Sequence, residues 1–541
     1  MRNHSKGTYL AHILFLAAAT VALLFPFVDK AFHIDDTLFL WTARQIIERP
    51  WDFYGFQGNW DGALSPATAI IKNPPIAAYY MALAGWFGGF SEKTLHLAFM
   101  FPAVMAIWGT YSLARRMSTE PLLAAVLCLA TPAFLVSSTT LMCDVMLAAF
   151  WVWAAFFWIK GVEDSSSLSL LFAGVLVALA SLTKYFGISL IPLLAVYSLL
   201  HGRKGFGAFI FLVIPIAALA GYHFYTQIFY GSGLLLDASS YSANIAGGAE
   251  RLDRAIVGLV FAGGCLITAL FFLVSIWGLK AFIGAAALVA GAIVYLVSRK
   301  SLGGIELWTG SFGWSYAAQL AVYAATGASI VILWLFDFIR RRDSYSVLLG
   351  LWIAGTFAFT VFFNWTVNAR SILPMAPALA ILMARAAEDA RPGKARVIIP
   401  VALALAVSFF VAWSDYRLAG SARDAAKTIA AKYSSWSGQL WFQGHWGFQY
   451  YMEARGAKAI EWKGQPIRPQ DVIAFPYNNT GLRLMPVENY SVVDDFKYTP
   501  SPYLSTMTLG PGAGFYASEW GPLPFMLLPP NDERYQVLVP R

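Results

Sequence analysis

Two adjacent carboxylates, Asp35 and Asp36, follow the first long apolar stretch, in the run His33-Ile34-Asp35-Asp36-Thr37-Leu38-Phe39-Leu40-Trp41. That stretch, Tyr9 to Val28, is about the 20 residues a helix needs to cross a bilayer, which puts the pair at a membrane surface. Helix capping accounts for one of them, because Asp is favoured at an N-cap and acids suit a first turn. Two acids are less expected there, and acids near membrane depth are costly and usually have a task. The task open to such a carboxylate is proton transfer at the membrane boundary.

Asp144 closes the run Ser138-Thr139-Thr140-Leu141-Met142-Cys143-Asp144, a short turn heading another apolar stretch. It could merely cap that helix, yet two carboxylates brought to one site can divide acid and base roles. Lys184 in Leu182-Thr183-Lys184 and Arg370 in Arg370-Ser371-Ile372-Leu373-Pro374 are cations at the ends of spans. Such cations suit a lipid-linked phosphate, with snorkelling to headgroups as the plain alternative. Lys72 and Asn73, held by Pro74 and Pro75, would also suit a phosphate oxygen, because proline restricts both itself and its predecessor. A turn with a snorkelling lysine is the competing reading.

Other chemistries are weakened. There is no Walker A run and no His-Glu-x-x-His. His33, Asp35, Asp36 and Asp144 could in principle hold a divalent ion. No helical i, i+4 ligand spacing supports one, so no metal or other cofactor is expected. Cys128, Cys143 and Cys265 offer neither a metal motif nor a disulfide framework. His445-Trp446 could touch a sugar, but a solvated loop is the expectation there.

The elements that must position these groups are membrane helices. The chain has 541 residues, of which 58% are hydrophobic and 13% charged, against about 25% charged in a soluble protein. With a mean hydropathy of +0.59, it reads as polytopic. Length and lack of charge give about 13 spans, the first an uncleaved one and the last ending at Trp413. Pro74–Phe90 is apolar too, but begins Pro-Pro, and crossing would turn the downstream basic clusters outward. It is expected to lie in the outer interface, paired with a helix near Thr37–Glu48 within an external loop, 29–93.

A cytoplasmic N-terminus puts Arg115-Arg116, Arg203-Lys204, Arg340-Arg341-Arg342 and the cluster from Arg385 to Arg396 inside; Arg299-Lys300 fits least. The net charge of +8 is then met by anionic lipid, and nothing supports nucleic acid as a partner. The expected fold is an all-α membrane domain, 1–413, followed by a small extracytoplasmic α/β domain, 414–541. In the latter, Gln439–Phe442 and Asp471–Phe475 read as strands, and Ala422–Lys432 and Phe448–Ala454 as helices.

Taken in order, these features resemble the GT-C glycosyltransferases, in the branch of protein O-mannosyltransferases and bacterial lipid A aminoarabinose transferases. The likeness lies in Asp35-Asp36 with Arg44 in the following helix, Asn73-Pro74-Pro75, Asp144, Leu182-Thr183-Lys184, and Arg370-Ser371-Ile372-Leu373-Pro374. The chain departs from the pattern in Asp-Asp for the common Asp-Glu. It also has Lys72-Asn73 where the aminoarabinose transferases carry Glu-Lys, which argues against aminoarabinose as the sugar.

The resemblance implies inverting transfer of a sugar from a polyprenyl-phosphate donor to a lipid, glycan or protein at the external face. Asp35 would be the base, and Asp36 or Asp144 would stabilise an oxocarbenium-like transition state. Lys184 and Arg370, with Lys72 and Arg44, would hold the donor phosphate. It also implies a cell-envelope enzyme of the bacterial inner membrane with a periplasmic C-terminal domain. The rival class is a transporter or lipid flippase, against which no internal repeat halves are found; a non-catalytic glycan-assembly partner would not need the acids.

Overall fold

Leu-, Ala-, Val- and Phe-rich runs form most of the molecule, because a helix satisfies every backbone polar group internally. The computed structural model describes residues 6–246, 251–298, 301–302, 305–306, 313–464, 466–486, 488–508 and 512–541. Arg299 and Lys300 lie outside the described residues.

Among the described residues, seven helices are long and apolar enough to cross a membrane: Gly7–Phe27, Glu92–Met117, Asp144–Glu163, Gly207–Tyr230, Trp314–Arg341, Ser344–Phe363 and Lys394–Lys432. This is an integral membrane protein. Several expected spans are broken instead. Pro121–Leu129 is followed by a second helix, Pro132–Ser137, whose Thr131 cap accepts the Phe134 N–H at 3.2 Å. Pro132 has no N–H to continue the first helix but suits the start of the second. The apolar run Ala255–Trp277, long enough to be read as one span, divides between Arg251–Cys265 and Thr268–Ser298, and the latter kinks at Gly278, whose φ of 72° only glycine adopts freely.

The helices at Asp36–Glu48 and Ile76–Gly88 pack together, as the two expected interfacial helices should. Between them lies a two-stranded ribbon, Gln57–Asn59 with Leu64–Pro66.

One helix, Lys394–Lys432, runs through the expected boundary at 413 and into a five-stranded sheet region. The strand order is Lys458–Ala459, Leu440–Phe442, Val472–Pro476, Glu533–Pro540, Tyr490–Tyr498. The first two pairings are parallel and the last two antiparallel. The two antiparallel strands were not expected. Tyr490–Tyr498 is a half-exposed edge strand whose bulge between Val492 and Asp494 breaks its alternation.

The sheet region is fastened to the segment that follows the first long helix. Phe32 N–H donates to Tyr451 Oη (2.8 Å) and Thr37 Oγ1 to Trp446 O (2.8 Å). Trp462 N–H reaches Gly62 O (2.9 Å), and Gln449 Nε2 reaches Asn59 O (2.8 Å). Gly447 permits the approach, since a Cβ there would lie 1.9 Å from Phe32 O.

Candidate active site

Asp35 occupies the N-cap position of helix Asp36–Glu48, yet its side chain makes no capping bond. The bland role is thereby removed. Its Oδ2 lies 3.3 Å from Arg370 Nη1, and the side chain keeps 28% of its exposure. Asp144 opens helix Asp144–Glu163, with Oδ1 2.7 Å from Lys184 Nζ and Oδ2 3.9 Å from Arg370 Nη1. Lys184, Asp144, Arg370 and Asp35 thus form one chain alternating in sign, although they come from four distant segments.

Each segment is fixed by local chemistry. Lys184 closes helix Ser167–Thr183, where a cation also suits the helix dipole. Arg370 sits in a single turn, Ala369–Ile372, capped by Asn368 Oδ1 on the Ser371 N–H at 2.8 Å. The Ala369 N–H donates to Phe515 O and the Ser518 N–H to Val367 O, each at 2.9 Å. The C-terminal region therefore holds the arginine turn directly. Arg254 braces the preceding loop, donating to Val361 O and Asn364 O at 2.7 Å each.

Lys184, Arg370 and Asp35 line a cavity of about 1790 Å³, whereas Asp144 is buried behind them and does not line it. Phe186, Ile188, Pro192, Phe359, Phe362 and Phe363 give it an apolar side, and Trp60, His445, Trp446 and Trp520 an aromatic one. The apolar side includes a π-helical turn, Phe359–Phe363, a feature frequent at functional sites.

Not every expected residue arrives there. Asp36 is buried, with Oδ2 on the His33 N–H and Oδ1 on the Leu141 N–H, both at 2.9 Å, and it does not line the cavity. Burial raises its carboxyl to about 7, against the pull of those N–H groups and Lys30. It ties the acidic turn to the Asp144 turn. Arg44 is separated from the other cations. It borders a second pocket, donating to Tyr450 Oη at 3.1 Å and lying over the Phe90 ring.

Lys72 and Asn73 do line the cavity. Lys72 Nζ contacts Thr68 O at 3.4 Å and sits 5.5 Å from the Tyr241 ring centre, and burial lowers its pKa. Asn73 O accepts from Tyr54 Oη, while Pro74 and Pro75 lead into helix Ile76–Gly88. His33 turns toward Asp415, and burial lowers its pKa to about 4, so the imidazole is neutral at neutral pH. Among the described residues no group of three or more His, Cys, Asp or Glu converges. His445 is not in a solvated loop: it is 4% exposed, with Nδ1 2.7 Å from Trp60 O.

A family model described as dolichyl-phosphate-mannose-protein mannosyltransferase matches residues 72–225, the segment that carries Asn73-Pro74-Pro75, Asp144 and Lys184. The apo oligosaccharyltransferase of Archaeoglobus fulgidus is similar at a TM-score of 0.50 and 15% identity, over 84% of this chain and 65% of that one. The fold is that of the GT-C glycosyltransferases. The A. fulgidus enzyme AglB with an inhibitory peptide and a dolichol-phosphate gives 0.50 and 16%, over 84% and 64%. ArnT from Cupriavidus metallidurans bound to undecaprenyl phosphate gives 0.43 and 14%, over 86% and 93%. This chain spans less than two thirds of the oligosaccharyltransferase's length. No curated protein matches it.

Behind the carboxylates of this GT-C fold lies a charge pair that sequence reasoning missed. Lys30 Nζ is 2.5 Å from Asp415 Oδ2, and both side chains are buried. Asp415 also accepts from Tyr516 Oη (2.6 Å) and Thr506 Oγ1 (3.0 Å), and Lys30 donates to Thr139 Oγ1 (3.2 Å). The signal existed: both residues are ionisable at the end of an apolar stretch, the criterion that singled out Asp144. Asp415→Ala, which strands a buried ammonium, is expected to cost about 3–5 kcal/mol of stability. Thermal unfolding in detergent checks this, and the double variant Lys30→Met/Asp415→Leu should recover most of the loss.

Proposed function

We propose that this protein is an inverting glycosyltransferase that moves a sugar from a polyprenyl-phosphate donor to an acceptor at the external membrane face. The observation that carries the reading is Asp35, a residue at a helix N-cap that caps nothing and instead meets Arg370 in a cavity shared with Lys184. Further support is the dolichol-phosphate held by AglB, whose fold this chain shares. The apolar side of the cavity suits a prenyl chain.

In the resting site the two cations are offset by Asp35 and Asp144. An arriving phosphate takes donors from Arg370 and Lys184, and Asp35 is freed toward the acceptor. Asp35 removes the proton from the acceptor hydroxyl, whose oxygen bonds to the anomeric carbon from the face opposite the phosphate. The bond from that carbon to the phosphate oxygen breaks, and the electron pair leaves with polyprenyl phosphate. Arg370 and Lys184 stabilise the charge that grows there. Asp144 holds Lys184 and Arg370 in register and lends negative charge near an oxocarbenium-like centre. The scheme uses no metal or other cofactor. The transporter or flippase alternative is not favoured, because the family match and the shared fold both point to glycosyltransferases.

Lipid extracted from the purified protein and weighed by mass spectrometry tests the reading. A polyprenyl phosphate, alone or with a sugar, is expected; failure of the protein to bind added polyprenyl phosphate would sink it. The accompanying topology has a cytoplasmic N-terminus, about 13 spans and residues 414–541 outside, in a bacterial inner membrane. A cysteine introduced at an exposed position near Gly444 should then react with a membrane-impermeant thiol reagent from the external side alone. Labelling from the cytoplasmic side would overturn both the topology and the face assigned to the site.

A further inference from the structure

The aromatic side of the cavity is unused by donor chemistry. Trp446 and Trp520 both line it, with ring centres 5.7 Å apart and planes inclined by 56°. Beside them Trp60 stacks on His445 at 4.2 Å, and the imidazole also bonds Thr480 Oγ1 through Nε2. These rings are held rigidly. Trp446 has a φ of 62°, costly for so bulky a residue, and its carbonyl is fixed by the Thr37 hydroxyl two residues beyond Asp35. Ile34, on the other side of Asp35, has a φ of 47°. Backbone strain of this kind persists only where the surroundings over-determine it, and it clusters at functional sites.

Two carboxylates complete the wall. Asp61 and Glu519 line the cavity and are exposed, and Glu519 is oriented by Thr366 Oγ1 on its Oε2 at 2.5 Å. Asp35 lines the same cavity as these residues, and Thr37, two residues on, holds the Trp446 carbonyl.

We infer that this wall is the acceptor subsite and that the acceptor is a neutral saccharide. The inference rests on the glycosyl-transfer reading above and names the substrate that reading left open. A sugar ring has an apolar C–H face and a rim of hydroxyls. Indole rings cover the first with rigid, amphipathic area, and carboxylates accept from the second. Asp61, Glu519 and Asp35 disfavour an anionic group at this wall, while Lys72, Arg251 and Arg254 line the same cavity and Arg254 acts on Glu519; an acyl chain would find these charges where it needs aliphatic lining. The saccharide on this wall presents a hydroxyl to Asp35 while the donor phosphate stays with Arg370 and Lys184.

The test is binding of the full-length protein, in lipid nanodiscs, to an array of neutral oligosaccharides and Ser/Thr-containing peptides, with polyprenyl-phosphate binding measured on the same samples. The wild type is expected to bind a subset of the oligosaccharides. Trp520→Ala and Trp446→Ala should each weaken that binding by about tenfold or more, with polyprenyl-phosphate binding retained. Glu519→Gln, a near-isosteric change at an exposed position, should weaken it with no change in melting temperature, which separates recognition from folding. Capture of peptides but no oligosaccharides, no capture at all, or equal oligosaccharide binding by all the variants would overturn the proposal. Absence of polyprenyl-phosphate binding in the wild type would instead remove the donor reading, and this inference with it.

Discussion

Asp35→Asn is expected to lower the transfer rate by about 10²–10⁴-fold, the usual contribution of a positioned general base. The substitution keeps the side chain's size and position at the head of helix Asp36–Glu48, and no capping bond is lost because none is made. Arg370 loses one of its two carboxylate partners but keeps Asp144 at 3.9 Å, so the phosphate site survives. Donor affinity should hold while turnover collapses, the pattern of an interaction made only in the transition state. Asp36→Asn should behave in the opposite way. Its carboxylate accepts two backbone N–H groups, and an amide can replace only one of those acceptors. Stability should fall, with a milder loss of turnover in the protein that remains folded. Equal transfer by Asp35→Asn and wild type in a purified assay would exclude Asp35 as the base.

The contrast between neighbours shows what the sequence could and could not convey. Asp35, Asp144, Lys184 and Arg370 were all legible by one rule, that ionisable groups at the ends of apolar stretches need a reason. Spacing alone could not show their meeting, since Arg370 and Asp35 are 335 residues apart; only the family resemblance implied a shared site. Arg44 could have been placed better. Nine residues at about 100° each put it half a turn from Asp35, on the far side of the same helix. That face carries it to the second pocket. Lys30 and Asp415 were passed over because each alone looks like a snorkelling or capping residue, and only tertiary packing buries them together.

The fold divides along similar lines. Apolar runs located seven long apolar helices among the described residues and the packed pair Asp36–Glu48 and Ile76–Gly88, but breaks such as Thr131-Pro132 depend on local backbone chemistry that composition hides. In the C-terminal region the short strands Leu440–Phe442 and Val472–Pro476 stood out as apolar runs. Tyr490–Tyr498 did not, since it carries Asp494 and Asp495 on an exposed edge, where Asp495 pairs with Arg534 at 2.7 Å. Trp446 opens the short helix Trp446–Glu453 and Trp520 lies in irregular chain, and only the docking of that region on the Asp35 loop gives them a common wall.

Arg370 is the residue whose loss should rival that of Asp35. Its guanidinium reaches both Asp35 and Asp144, and its ring-facing side lies 5.8 Å from the Tyr516 centroid, so its plane is set before any donor arrives. A planar fork set in this way can give two parallel bonds to phosphate oxygens, whereas an ammonium acts as a point charge. Arg370→Ala should therefore reduce turnover by about 10²–10³-fold, as removal of one preorganised donor to a developing oxyanion does. It also leaves Asp35 and Asp144 with one cation fewer between them, which repels an anionic donor. Arg370→Lys separates these effects: it restores charge but not the fork, so donor affinity should recover in part and turnover much less. Lys184→Ala is expected to hurt transfer more than stability, since Lys184 is one partner of Asp144 and Arg370 remains as the other. Steady-state kinetics with varied polyprenyl-phosphate donor would read the split between affinity and turnover. Full activity in Arg370→Lys would reduce the arginine to a charge. A donor-bound structure with its phosphate more than about 6 Å from both Arg370 and Lys184, beyond hydrogen-bond reach even with side-chain motion, would move the donor site elsewhere.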